Sequence, residues 1–192
     1  MITNSNIHWN YFISIEDDLN RLSRFIEFDK NNENVFSIEL VRLLLSSSSE
    51  FEVVSKEICL LKRPGEKVGN FREKLFSIFP ILPDLELIIP RYNLNNIPLE
   101  NWKSNKDADW WTSYNLVKHM RQRHFELANL KNVIESIGAL YIINLFYYNS
   151  LQEQNNGKNV PMEETTLELY PRPCLLKVNR PDFYMIPYCK SY

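Results

Sequence analysis

Asn129-Leu-Lys-Asn-Val-Ile-Glu-Ser-Ile-Gly-Ala-Leu-Tyr-Ile-Ile-Asn-Leu-Phe-Tyr-Tyr-Asn149 reads as one long helix. Leu130, Val133, Ile137, Leu140 and Tyr141 recur at the three-and-four spacing of a single inward stripe. A helix of this length and apolarity needs partners, and the rest of the chain supplies them. Residues 7–28 carry Phe12, Ile15, Leu19, Leu22 and Ile26 at the same period, with Asp17, Asp18, Arg21 and Arg24 largely off it. Residues 34–61 carry two apolar faces, Ile38, Val41 and Leu45, then Phe51, Val54, Ile58 and Leu61. The Ser46–Ser49 run between them lowers helix propensity and the period returns out of phase, so a kink there and one continuous helix are both compatible with the pattern. Residues 71–79 suit a short helix stopped by Pro80, and a further helix is expected from Asp109, with Asp107 or Asp109 as its N-cap.

Prolines at 80, 83, 90 and 98 forbid a helix through the intervening segment, where Leu85–Ile89 suits a short strand. Residues 152–158 read as a polar linker, and 165–192 as short strands or an extended arm. The expected fold is therefore mainly all-α: a helical bundle domain over 1–150 with a proline-rich insertion at 80–98, followed by a linker and C-terminal arm over 151–192.

The chain of 192 residues is 44% hydrophobic, 13% aromatic and 24% charged, which supports a sizeable core and excludes global disorder. Four glycines and ten prolines exclude collagen-like sequence. No apolar run reaches the roughly 18–20 residues of a membrane span, and the N-terminus lacks the basic start and apolar stretch of a secretory signal. The expectation is a cytoplasmic protein with no membrane association. Cys59, Cys174 and Cys189 have no metal-like spacing and read as thiols, although Cys174 and Cys189 would meet if the arm folded back.

A formal charge of −2 argues against a non-specific nucleic-acid coat protein, but the charge is uneven. Residues 1–60 hold five Lys/Arg against ten Asp/Glu, whereas residues 118–131 hold Lys118, Arg121, Arg123 and Lys131 against Glu126 alone. His119 and His124, two of the three histidines, lie in that basic stretch.

On an ideal helix Asn115 and His119 share a face, with Lys118 three residues after the first and Arg123 four after the second. An imidazole exchanges protons near neutrality, and adjacent cations stabilise charge on a phosphoryl group. Metal-independent RNA cleavage uses these groups, so His119, Asn115, Lys118 and Arg123 are the catalytic candidates. Trp111, Tyr114, Arg121 and Gln122 are the substrate-binding candidates; Trp111 and Gln122 share the polar face, while Tyr114 and Arg121 fall on the packed one. The competing reading has Asn115 and His119 satisfying each other or a backbone carbonyl at a helix contact.

Other chemistry finds no motif. No glycine-rich phosphate loop, His-Glu-x-x-His, Cys-x-x-Cys or Gly-x-Ser-x-Gly is present. Glu16-Asp17-Asp18 is a carboxylate cluster, but consecutive helical residues diverge by about 100°, so it reads as a solvated face rather than a metal site. Trp102, Trp110 and Trp111 are the residues to stack a base, or else to pack a core. No metal or cofactor is expected.

The long first helices and the later one carrying Tyr114-Asn-Leu-Val-Lys-His119 resemble the HEPN superfamily, all-helical domains named for nucleotide binding in higher eukaryotes and prokaryotes. The likeness covers residues 7–150. It implies a metal-independent endoribonuclease working as a homodimer with a composite site, in a prokaryotic toxin or antiphage defence system. It also implies an RNA substrate and a protein partner encoded nearby. Family members that cleave carry an arginine, a polar residue and then a histidine after a short spacer. Here Asn115 matches the polar residue and His119 the histidine, while Tyr114 stands in the arginine's place. Non-catalytic members are dimerisation or binding modules for a protein or nucleotide, and that is the alternative function. The homodimer is also expected from the aromatic load of Trp110, Trp111, Phe146, Tyr147 and Tyr148.

Overall fold

A computed structural model describes residues 6–67 and 69–184. The described residues include six α-helices: α1 (Ile7–Leu22), α2 (Ile38–Lys62), α3 (Phe71–Ile78), α4 (Asp109–His124), α5 (Leu130–Asn156) and α6 (Met162–Glu168). A small antiparallel sheet of β1 (Leu87–Ile89), β2 (Leu94–Asn96) and β3 (Lys177–Val178) has the order β2-β1-β3. The chain is thus predominantly helical. No described helix is long and apolar enough to cross a membrane.

The long helix is the centre of the molecule. Asn129 caps it by accepting a hydrogen bond from the Asn132 amide at 3.0 Å, and Gly157 ends it with a left-handed φ of 64°. It runs seven residues beyond Asn149, so the polar stretch from Gln152 is mostly its last turns rather than a linker. Burial extends past the expected stripe to Ile134, Ala139, Ile142, Ile143 and Leu145. A helix enclosed on all sides needs cover on every face. Here α2 lies along it most extensively, α1, α4 and α6 flank it, and the insertion closes another face.

Gly138 marks the closest approach of that insertion. A Cβ there would sit 2.4 Å from Leu87 Cδ2 and 3.3 Å from Pro98 Cγ. Leu87 is itself buried and has little room to yield. Gly138→Ala is therefore expected to destabilise by about 1–3 kcal/mol through overpacking, despite alanine's better helix propensity. A shift of the urea midpoint to lower denaturant is the measurement, and an unchanged or raised midpoint would contradict the close approach.

The serine run does not break α2, which continues for 25 residues. Ser47 Oγ donates to the Leu43 carbonyl at 2.8 Å and lies 2.7 Å from Ser136 Oγ on α5, so these two hydroxyls are satisfied inside the helix pair, whereas the buried Ser48 hydroxyl has no partner among the described residues. The small side chains sit in the α2–α5 contact, where Ser47, Ser48 and Ser136 are inaccessible. Ser37 caps this helix through the Leu40 amide at 3.2 Å, so the helix begins at Ile38, four residues after the expected start.

Glu16 corrects the reading of 16–18 as a solvated carboxylate face. Its side chain is 1% exposed. Oε2 accepts from the Cys174 amide at 2.9 Å, and Oε1 from Leu175 and Leu176 at 2.8 and 2.9 Å. Through that clamp and the β1–β3 pairing, the C-terminal part is built into the domain. The chain also forms α6 where only extended structure was expected. Cys59 is a buried free thiol and Cys174 an exposed one, while Cys189 lies outside the described residues.

The aromatic residues expected to mark a dimer face are mostly core. Trp110, Phe146 and Tyr148 are buried, Phe146 between Phe79 and Phe183 at ring distances of 4.8 and 6.2 Å. Their burial removes that argument for a dimer.

Candidate functional site on helix α4

Trp110 fixes the start of α4, its ring buried and its Nε1–H donated to the Pro98 carbonyl at 2.8 Å. Ala108 rather than an aspartate holds the N-cap position, and Asp109 in the first turn accepts from Asn101 Nδ2 at 3.0 Å. One turn on, Tyr114 is 2% exposed, its ring 5.1 Å from that of Trp111. Lys118 lies over Tyr114, Nζ 5.1 Å from the ring centroid and donating to the hydroxyl at 3.1 Å. That hydroxyl holds the ammonium's pKa above the ordinary lysine value, so Lys118 is a fixed cation.

The helix does not run straight through its basic end. At Met120 the backbone leaves helical values, with φ −138° and ψ 46°. Asn115, Lys118 and His119 precede the kink and keep their helical relation. Arg121, Gln122 and Arg123 follow it, so the ideal-wheel argument that set Arg123 beside His119 does not hold. The same kink takes Arg121 off the packed face expected for it, and it is exposed.

Lys118, His119, Arg121, Gln122 and Arg123 are all exposed. Among the described residues, none of these cations pairs with a carboxylate, whereas Arg21, Arg42, Lys56, Lys62, Lys74, Lys103 and Arg180 each do. Asn115 is half-buried and donates Nδ2 to the Trp111 carbonyl at 3.0 Å, so its amide serves the helix backbone rather than His119. His119 has no carboxylate within ion-pairing distance among the described residues. Tyr114 contributes a buried platform under Lys118 rather than an exposed substrate contact.

No family model, curated protein or solved structure matches the chain.

Two groupings escaped the sequence reading. On α1, His8 Nδ1 lies 2.5 Å from Glu50 Oε1, and Nε2 lies 3.7 Å from Glu57 Oε2, beside a cleft also lined by Tyr147 and Tyr148. Tyr147 donates its hydroxyl to Glu57 at 3.1 Å. The hydrogen bond to Glu50 is the chief cause that raises the His8 pKa above 6.5, against the opposing cost of burial. A raised folded-state pKa gives stability that is complete below the unfolded value and lost as pH climbs through the folded one. Unfolding free energy is thus expected to fall as pH rises above 6.5 through that value, and His8→Gln should flatten this part of the profile. Denaturant titrations across that range, with an NMR titration of the His8 ring, make the measurement; an unaltered slope in the variant would count against it.

The second is Glu135 on α5, in a cleft with Glu33, Lys131 and Asn96. Burial, with Asp109 and Glu33 adding, pushes its carboxyl up to about 7. Neither grouping has a sequence signature: His8 and Glu50 are 42 positions apart, and burial around Glu135 is a tertiary property.

Proposed function

We propose that the protein is an HEPN-like, RNA-acting module whose α4 end receives the phosphate backbone, and that it is a metal-independent endoribonuclease of a prokaryotic toxin or antiphage system. The single observation that carries this reading is the strip of Lys118, Arg121 and Arg123. These cations are exposed beside an exposed His119 and have no carboxylate partner among the described residues. Such cations favour a polyanion, with an affinity that falls steeply with salt. In the reaction His119 takes the proton of the 2′-hydroxyl, the 2′-oxygen attacks phosphorus, and the 5′-oxygen leaves with a proton from an acid. The product ends are then a 2′,3′-cyclic phosphate and a 5′-hydroxyl. His119 of a second copy is the acid in a composite site, as the resemblance implies, and Lys118 supplies charge in place of the arginine replaced by Tyr114.

Exposed Val35, Phe36 and Ile38 support a homodimer as an uncovered apolar patch; within the chain Phe36 packs on Phe125 just past the kink at a ring distance of 5.7 Å, which places the patch near the basic strip. Light scattering at tens of micromolar is expected to give twice the chain mass, and the monomer mass would oppose the composite site. The cleavage test uses single-stranded RNA in EDTA with end-group analysis. Cyclic phosphate ends support the reading, and cleavage abolished by EDTA opposes it.

The alternative, a non-catalytic module for a protein partner or nucleotide, draws on the Asn115 amide being committed to the Trp111 carbonyl. A folded protein that binds RNA in a salt-dependent way without cutting it would favour that reading.

A further inference from the structure

A second feature, an aromatic cavity, adjoins the basic strip. Where α2, α3 and the start of α4 meet there is a cavity of about 190 Å³. Phe51, Trp102 and Trp110 are buried behind it, while Trp111 and Phe71 are half-buried, their rings 5.4 Å apart. Into this aromatic setting the chain places Arg72, with its side chain only 14% exposed. Among the described residues its Nε–H is buried with no hydrogen-bond partner. Its terminal nitrogens reach Asp107 at 3.5 Å and Glu73 at 3.8 Å, longer than good hydrogen bonds. A guanidinium this deeply placed and this loosely satisfied is costly unless something else accepts from it.

The cavity is below the roughly 300–1,000 Å³ of drug-sized pockets, which suits one planar ring system. Aromatic walls take a base by stacking. Arg72 and Asp107 then present a donor and an acceptor side by side. Guanine carries the matching edge: O6 accepts from the guanidinium, while N1–H and the exocyclic amine donate to the carboxylate. Adenine sets an amine donor against the guanidinium and leaves the carboxylate without its N1–H. We propose that this cavity binds an unpaired guanine base, an inference that rests on the RNA reading of α4. The two features are continuous, since the Trp111 ring touches Tyr114 and Lys118 lies over Tyr114.

Three of the four tryptophans line the cavity, so tryptophan fluorescence reports its occupancy directly. Titration of the full chain with GMP is expected to quench saturably, and AMP to bind about tenfold more weakly or worse, the scale of base discrimination by a good polar pair. IMP, which lacks the exocyclic amine, should fall between them. Asp107→Asn, at a side chain 56% exposed and so safe for folding, should lose about tenfold for GMP and most of the preference over AMP. Arg72→Lys should weaken GMP similarly, with circular dichroism confirming the helices. Equal quenching by GMP and AMP, or GMP binding untouched by Asp107→Asn, would overturn the site.

A single-guanine oligoribonucleotide separates the possible sources of the base. Binding tighter than GMP, and weakened by salt and by Lys118→Ala, assigns the pocket to RNA. Affinity equal to GMP leaves the guanine pocket standing and overturns the RNA reading of the strip. Cleavage with no preference for guanine-containing RNA leaves that reading standing and overturns the pocket's part in it.

Discussion

His119→Ala is expected to lower RNA cleavage by ~100-fold or more, the scale set by loss of a general acid–base group. His119 ends the straight part of α4, exposed, just before the break at Met120. Its removal takes nothing from the core, so melting temperature and helicity should be unchanged. The loss should fall on the catalytic rate, with RNA affinity kept by Lys118, Arg121 and Arg123. His124→Ala, at a half-buried position beyond the kink, is the comparison and should retain cleavage. A composite dimer site adds a sharper test: mixing His119→Ala protein with wild type should depress activity more than dilution does, because each mixed dimer lacks one proton-transfer group. Cleavage unchanged in His119→Ala would refute the site.

The largest expected effect on stability is at Glu16. Its carboxylate is buried and accepts three backbone amides from residues 174–176. Glu16→Ala leaves three donors without an acceptor and loosens the docking of Leu175, Leu176 and Val178, all core residues. Charged hydrogen bonds contribute about 1.5–3 kcal/mol each and do not add fully, so the loss is expected at about 3–5 kcal/mol, a large share of a domain's total stability. Glu16→Gln keeps one acceptor oxygen and should lose less. Urea unfolding gives the magnitude, and limited proteolysis should show new cleavage around residue 174. A change in Glu16→Ala below about 1 kcal/mol would mean that the clamp contributes little to the fold.

The helical architecture was legible because it rests on local periodicity. The stripes of α1, α2 and α5 are written at three-and-four spacing, and Pro80 ends α3 as its missing amide requires. The one cap expected from the sequence is not the one formed: Ala108 takes the place expected for Asp107 or Asp109 at α4, while Asn129, read only as the start of the long helix, caps α5. The basic stretch at 118–123 was equally plain from charge. Its geometry was not, because the break at Met120 separates His119 from Arg123 and no local residue announces it.

By itself the sequence determined a helix-rich protein with an apolar central segment, a proline-broken insertion and one concentration of cations and histidines. Spacing and charge are properties of neighbours along the chain, so they are set before it folds. Tertiary structure alone decided which polar groups are buried and with whom. Ser47 finds Ser136, and Glu16 finds amides more than 150 positions away. His8 finds two carboxylates on α2, and Arg72 enters an aromatic cavity drawn from three helices and a turn. For Ser47, Glu16 and His8 the cost of taking a polar group out of water is met by a partner distant in sequence, while Arg72 keeps a buried Nε–H without one among the described residues; both outcomes exist only once the chain has folded.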